Sequence, residues 1–177
     1  MRHRISVWQM AGFVFTSVLG TFLHFFFDIT GGSTAAALVS AVNESIWEHM
    51  KLVFVPMVVF ALYQRRNDPA EGFWRVKLAG IITALVLIPV LYYTYTGALG
   101  LNADWFNITI FFIAAGAAFW LETKLFQSGR ECRLPDRVAA GIIFLLAGAF
   151  LLFTFAPLKI PLFQDPLDGS FGFQSLG

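Results

Sequence analysis

The chain has 177 residues, of which 58% are hydrophobic and only 13% charged, with a formal net charge of +1 and a mean hydropathy of +0.71. Soluble domains carry about 25% charged residues, so this composition indicates an integral membrane protein. The near-neutral charge argues against a nucleic-acid partner, and the single cysteine, Cys132, excludes an intrachain disulfide.

Five apolar segments are long enough to cross a bilayer, which takes about 20 helical residues. The first is longer than the apolar core of a signal peptide, and no small-residue cleavage site follows it, so we interpret it as an uncleaved helix. The predicted spans are residues 5–28, 34–63, 78–99, 106–126 and 138–155. The predicted fold class is all-α: a polytopic transmembrane helix bundle over residues 1–156, followed by a C-terminal tail over residues 157–177 that packs on the bundle.

The basic residues predict the orientation of this bundle, because short cytoplasmic loops collect Lys and Arg. They precede span one and occupy the connections between spans two and three and between spans four and five; the opposite connections contain none. These residues are Arg2, Arg4, Arg65, Arg66, Arg75, Lys77, Lys124, Arg130, Arg133 and Arg137. We therefore expect the N-terminus inside and the C-terminal tail outside.

Span one ends with two polar residues, His24 and Asp28, near its outer end. Residues four apart share a helix face, so these side chains can converge on one ligand. The alternative is that Asp28 only orients the imidazole or caps the turn that follows. Because residues 30–33 form that short turn, spans one and two must be antiparallel neighbours.

Span two carries the most unusual stretch of the chain, N-E-S-I-W-E-H-M-K at residues 43–51, between two apolar runs. Ionisable groups at bilayer depth cost about 2.5–3.5 kcal/mol each, so they usually face the protein interior and mark a functional site. A continuous helix here would place Glu44 near the bilayer centre, about 15 Å deep. One helical stripe would then hold Ser40, Asn43, Glu44, Trp47, Glu48 and Lys51, with His49 on the adjacent strip.

This stripe holds two carboxylates and one ammonium. Lys51 can neutralise Glu48 but not Glu44 as well. The excess negative charge favours a bound cation or a proton. The alternative is an internal salt-bridge network that only fixes the packing of the helices.

Later spans contribute polar and small residues. Tyr92 belongs to a tyrosine cluster near the outer end of span three, and Asn107 lies at the outer start of span four. Small residues at 114–118 in span four, and Gly141 and Gly148 in span five, predict that these two spans form a tight pair.

The candidate ligand- or metal-binding residues are therefore His24, Asp28, Asn43, Glu44, Glu48 and His49. Trp47, Lys51, Tyr92 and Asn107 are predicted to support them. Nitrogen and oxygen ligands suit a divalent ion such as Zn²⁺, Mn²⁺ or Fe²⁺. The predicted metal ligands are His24, Glu44, Glu48 and His49, and we expect the side chains of spans one and two to meet in one outward-open pocket.

The chain resembles an uncharacterised family of small bacterial integral membrane proteins, a domain of unknown function with a V-N-E-S-I-W-E-H-x-K-L motif. The resemblance lies in H-F-F-F-D (24–28), the block at 40–52 that contains this motif, and P-L-F-Q-D-P-L-D-G-S-F-G (161–172). It implies a location in the cytoplasmic membrane and implies no activity. Membrane hydrolases that bind zinc through three histidines do not match, because they need a His-x-x-x-His pair late in the chain.

Three functions fit these residues. The first is a membrane protein that binds a cation or a small polar solute at a site open to the outside, with or without carrying it across the membrane. The second is a metal-dependent intramembrane hydrolase of a lipid or peptide, in which a spare carboxylate acts as general base. The third is a structural subunit whose buried charges form a packing network. The lipid bilayer is the expected partner in each case, and a homo-oligomer is compatible with all three.

Overall fold

The computed structural model describes residues 2–128 and 134–173, and within these residues it contains helices and no named strand. Five helices are long and apolar enough to cross a membrane: α1 (Arg2–Ile29), α3 (Ile46–Asn67), α4 (Phe73–Leu99), α5 (Asp104–Ser128) and α6 (Asp136–Phe155). A short helix α2 (Thr34–Ala37) lies between α1 and α3, and a 3₁₀ turn (Pro161–Phe163) lies in the tail. The predicted all-α, multi-pass fold is confirmed. Arg130, Cys132 and Arg133 lie outside the described residues, as does the side chain of Arg2.

Consecutive long helices run in opposite directions, so the start of α1 lies beside the ends of α3 and α5. The Arg4 guanidinium lies 2.9 Å from the Asp68 carboxylate, and Gln127 donates to the Ser6 hydroxyl at 3.1 Å. We call the opposite end of the bundle the tail end. It carries the connections at 30–33 and 100–103 and the tail itself. The location of the tail end outside the cell stays a prediction from the basic residues.

Helix α3 lies at the centre of the bundle, where it contacts α1, α4, α5 and α6. Its apolar side chains, among them Val53, Phe54 and Met57, form the core with residues of α4 and α5. The surrounding helices expose large apolar side chains on their outward faces, such as Val18 of α1 and Phe144 of α6. This distribution is the one expected of helices whose outward faces contact lipid rather than water.

The second predicted span is wrong in one respect, because it is not a continuous helix over residues 34–63. Residues 38–45, between α2 and α3, form irregular backbone. This break moves Glu44 out of the predicted helical stripe and away from the predicted bilayer centre, to the tail end of the bundle. The stripe therefore does not exist as one surface.

A serine cap explains why α3 begins where it does. The Ser45 hydroxyl accepts a hydrogen bond from the Glu48 backbone N–H at 3.4 Å, and the Ser45 N–H donates to Asn43 Oδ1 at 3.0 Å. Ser-x-x-Glu before an apolar run is a known sequence signature of a helix start. The motif at residues 43–51 therefore contains its own helix boundary.

The predicted tight pair between the last two spans is also wrong. The small residues of α5 are buried against α4 and α1, whereas α6 packs on α4. A Cβ added at Gly141 or Gly148 would meet no atom within 4 Å, so these glycines lie on an open face of α6.

The described part of the tail packs on the tail end of the bundle. The Phe173 N–H donates to the Thr154 carbonyl at 2.7 Å, and the Phe163 ring lies 4.8 Å from the Trp47 ring, centroid to centroid. Gly172 has a φ of 64°, and a Cβ there would lie 2.7 Å from the Thr154 carbonyl oxygen. The tail therefore needs glycine where it approaches α6 most closely.

Candidate metal centre

Three of the predicted site residues come together at the tail end: His24 of α1, Glu44 of the irregular segment and His49 in the first turn of α3. One Glu44 oxygen lies 3.5 Å from His49 Nε2, and the other lies 3.9 Å from His24 Nε2. The two imidazole centroids are 5.5 Å apart. One ligand atom from each residue lies within 4.8 Å of the other two, so a single ion could bind all three.

The break in the second span makes this grouping possible. Gly31 and Gly32 have positive φ angles of 67° and 74°, and the Gly32 N–H donates to the Phe27 carbonyl at 3.0 Å, so the chain reverses directly after α1. In a continuous helix, residues 44 and 49 would point about 140° apart. Because helix α3 starts only at residue 46, the Glu44 side chain is free to turn toward His49.

A backbone hydrogen bond fixes the tautomer of His49. Its Nδ1 lies 3.0 Å from the Ser45 carbonyl oxygen, which can only accept, so Nδ1 carries a proton. In the neutral imidazole, Nε2 then presents its lone pair to the Glu44 carboxylate. Two electron-rich atoms at 3.5 Å repel unless a cation or a proton lies between them. Metal-bound histidines usually have this same arrangement, in which the other ring nitrogen donates to a carbonyl or carboxylate.

The cluster is accessible from the tail end. The side chains of His24, Glu44 and His49 are 30%, 42% and 24% exposed. Two of them line a cleft of about 40 Å³, which has room for a small ligand such as water. The opposite wall of the cleft is polar and consists of Tyr92, Asn102, Asp104 and Asn107.

The polar wall is held by Tyr95, which is buried beside Tyr92. The Tyr95 hydroxyl lies 3.0 Å from Asn102 Oδ1 and 2.5 Å from Asn107 Oδ1, and Asn107 Nδ2 donates to Asn102 Oδ1 at 2.9 Å. The sequence predicted that the tyrosine cluster supports the site, but it did not identify the ring that holds the polar wall. The hydrogen bonds assign that position to Tyr95, while Tyr92 lines the cleft itself.

Glu48 and Lys51 point away from the cluster, toward α6. The Lys51 ammonium lies 2.6 Å from Glu48 Oε2 and also donates to the Ala37 carbonyl and the Thr154 hydroxyl, each at 2.9 Å. The Thr154 hydroxyl donates to Glu48 Oε1 at 2.8 Å. All three ammonium hydrogens thus have an acceptor, and both side chains are fully buried. This network matches the alternative described from the sequence, an internal salt-bridge network that fixes the packing of the helices.

Three other predicted residues lie near the cluster without joining it. Asp28 is exposed at the end of α1. Asn43 Nδ2 donates to the Gly172 carbonyl at 3.4 Å, so it contacts the tail. Trp47 packs against Phe163 of the tail, with the two ring planes tilted by 39°.

The sequence did not indicate a second buried ion pair, which Lys77 forms with Glu122. The Lys77 ammonium lies 2.6 Å from Glu122 Oε2 and 3.4 Å from Gln9 Oε1, and four phenylalanine rings have their centroids within 5.9 Å of it. The sequence placed Lys77 in the connection between spans two and three. Because α4 begins at Phe73, Lys77 lies one turn inside the helix and is buried.

Comparison with known proteins places the chain in a family but assigns no activity. Neither a curated protein nor a solved structure matches it. The model of one family matches residues 1–173, nearly the whole chain and all three blocks that carry the resemblance. The chain belongs to this family, DUF6512, a family of unknown function.

Proposed function

We propose that this protein is a membrane protein that binds a divalent metal ion through His24, Glu44 and His49, with Zn²⁺ as the first candidate. The observation that carries the proposal is the convergence of three ligand atoms, one from each residue, within 4.8 Å of one another. His49 Nε2 lies 3.5 Å from a Glu44 oxygen while Nδ1 contacts the Ser45 carbonyl, so Nε2 is the ring nitrogen placed to bind an ion. Two imidazoles and one carboxylate are also the protein ligands of several zinc enzymes.

The distances fit such an ion after small side-chain movements. Tetrahedral Zn²⁺ with bonds of 2.0–2.1 Å separates its ligand atoms by about 3.3 Å. One ligand atom from each of the three residues lies within 4.8 Å of the other two, so the side chains would have to move by up to about 1.5 Å to reach this spacing. Glu44 lies in irregular backbone rather than in a helix, which leaves its carboxylate room for such a movement.

The distribution of basic residues supports a tail end outside the cytoplasmic membrane, so the ion would enter from outside. A transporter would use the cluster as its outward-facing binding site. Beneath the cluster, the buried core of α3 is apolar at Val53, Phe54 and Met57, so inward release would require these packed helices to rearrange.

One observation supports the hydrolase as a second candidate. Three protein ligands leave a fourth position for water, and the cleft beside Glu44 and His49 gives that water access to a polar wall. Asp104 on this wall is a carboxylate outside the ligand set, the role that a general base requires. The substrate would be a lipid or a peptide that reaches the tail end.

Calorimetric titration of metal-stripped protein with Zn²⁺ in detergent tests the proposal. We expect one Zn²⁺ per chain for the unaltered protein, and affinity at least about 100-fold weaker for Glu44→Ala, which removes one of three ligands. Asp28→Ala is the matched control, because it removes a carboxylate at the same end of the bundle outside the cluster. Absent binding, or equal binding by Glu44→Ala, contradicts the proposal.

Two assays on the zinc-binding protein then separate the candidates. A transporter delivers Zn²⁺ to a dye inside liposomes at a rate that depends on Glu44. A hydrolase cleaves an activated ester with bound Zn²⁺, and Asp104→Asn lowers the turnover while the Zn²⁺ affinity is unchanged.

A further inference from the structure

The C-terminal tail holds the backbone of the residue that supplies the central ligand of the cluster. Asp165 Oδ2 accepts a hydrogen bond from the Glu44 N–H at 2.8 Å, although the two residues are 121 positions apart. No regular helix fixes Glu44, so this bond to the tail is one of the contacts that determine where its side chain begins.

Asp165 is itself fixed on every side. Its Oδ1 accepts from the Leu167 N–H at 2.8 Å, and its own N–H donates to the Ser170 carbonyl at 2.9 Å. The residue is only 6% exposed. A buried carboxylate is stable only when hydrogen-bonded, so Asp165 keeps the tail turn and the Glu44 backbone in one arrangement.

Further contacts anchor the tail on both sides of Asp165. Before it, Phe163 is buried against Trp47 of α3. After it, the Gly172 carbonyl accepts from Asn43, the neighbour of Glu44, and the Phe173 N–H donates to Thr154 of α6. The tail thus connects the irregular segment with two helices of the bundle.

We propose that Asp165 is a positioning residue for the metal centre, and that tail docking and metal binding are coupled. This inference rests on the proposed function. A docked tail presents Glu44 between the two imidazoles, whereas an undocked tail leaves the irregular segment free and the cluster without its central carboxylate. Coupling is reciprocal, so bound metal must also hold the tail in place.

The expected loss of metal affinity in Asp165 variants follows from the behaviour of other metal sites. Loss of a residue that orients a ligand costs about 10–100-fold in metal affinity. We expect Asp165→Ala to weaken binding by this factor. Asp165→Asn keeps one carbonyl oxygen that can accept from Glu44 but loses the bond to Leu167, so its affinity should be intermediate.

Titration with Co²⁺, followed by visible absorption, tests the inference in the full-length protein. Four-coordinate Co²⁺ absorbs strongly, so the spectrum reports the ligand set as well as the affinity. Asp168→Ala is the matched control, because Asp168 is an exposed carboxylate of the same turn whose hydrogen bonds are local, including one from the Ser170 N–H at 2.8 Å. Asp165→Ala should bind weakly with an altered spectrum, and Asp168→Ala should match the unaltered protein.

Proteolysis supplies a second readout. Chymotrypsin can cleave after Phe163 only when the tail lifts, since this ring is buried. Metal should slow this cleavage in the unaltered protein and have no such effect in Glu44→Ala.

The outcomes distinguish the two proposals. Co²⁺ binding that is unchanged in affinity and spectrum by Asp165→Ala overturns the positioning role alone. Cleavage after Phe163 that does not respond to metal overturns the coupling alone. An unaltered protein that binds neither Co²⁺ nor Zn²⁺ overturns the metal centre and, with it, this inference.

Discussion

Two groups of charged side chains lie within one nine-residue segment and have opposite properties. Glu44 and His49 are half-buried and face a cleft, and a Glu44 oxygen lies 3.5 Å from His49 Nε2. Glu48 and Lys51 are fully buried and their polar atoms are saturated by each other, by Thr154 and by backbone. Accessibility to a cleft, rather than charge in a membrane helix as such, therefore identifies the group that can bind a ligand.

The Lys77–Glu122 pair at the other end of the bundle extends the comparison. It is as buried as the Glu48–Lys51 pair, but Glu122 Oε1 and Gln9 Nε2 have no partner among the described residues. Buried polar atoms of this kind are usually satisfied by internal water. This pair is therefore enclosed like the first, yet less completely satisfied by protein atoms.

The largest effect should come from breaking the saturated network. Lys51→Met leaves Glu48 as an uncompensated buried carboxylate, which should lower the free energy of unfolding by about 3–5 kcal/mol. Equilibrium unfolding in mixed micelles measures the loss. The double variant Glu48→Gln/Lys51→Met should recover most of it, because no unpaired charge remains. A single variant as stable as the unaltered protein would contradict the assignment of this pair to packing.

An intermediate effect should come from Gly80, which faces Glu122. A Cβ at Gly80 would overlap the Glu122 carboxyl, so Gly80→Ala should lower the stability by about 1–3 kcal/mol. Gly141→Ala is the matched control, since a Cβ there meets nothing and alanine favours helix over glycine. The same unfolding assay compares the two variants. Equal stabilities would mean that Glu122 is not packed against α4 as described.

The smallest effect should come from the wall of the cleft. Tyr95→Phe keeps the ring stacked on Phe106 at 4.5 Å but removes the hydroxyl that lies between Asn102 and Asn107. We expect a loss of about 1 kcal/mol in stability and little change in Zn²⁺ affinity, because the hydroxyl is not part of the cluster. A large loss of affinity would place the wall among the metal-binding groups.

Composition and periodicity were sufficient to predict the long helices. Long apolar segments have few structural options in a membrane, because each backbone polar group must be satisfied within its own helix. The number of spans and the pairing of His24 with Glu44 across the short turn therefore followed from the sequence. The family resemblance was also confirmed.

The break between α2 and α3 was not predicted, although its signal was present in Ser45 and Glu48. A run of 30 mostly apolar residues favoured one tilted helix over two helices joined by an irregular segment, and the Ser-x-x-Glu cap was not weighed against it. The prediction of one continuous helix placed Glu44 on the same surface as Glu48, whereas the two side chains point to different sites. The hydrogen bond from Glu44 to Asp165 could not be inferred, because no local pattern relates residues so far apart.

X-ray absorption at the zinc edge of the zinc-loaded protein tests whether the ion binds His24, Glu44 and His49. We expect a nearest shell of nitrogen and oxygen atoms at about 2.0–2.2 Å, with the outer-shell scattering of two imidazoles. Glu48→Gln should leave this spectrum unchanged, whereas His49→Ala should reduce the outer-shell scattering to one imidazole. A shell of oxygen atoms alone, without imidazole scattering, would contradict the metal centre at His24, Glu44 and His49.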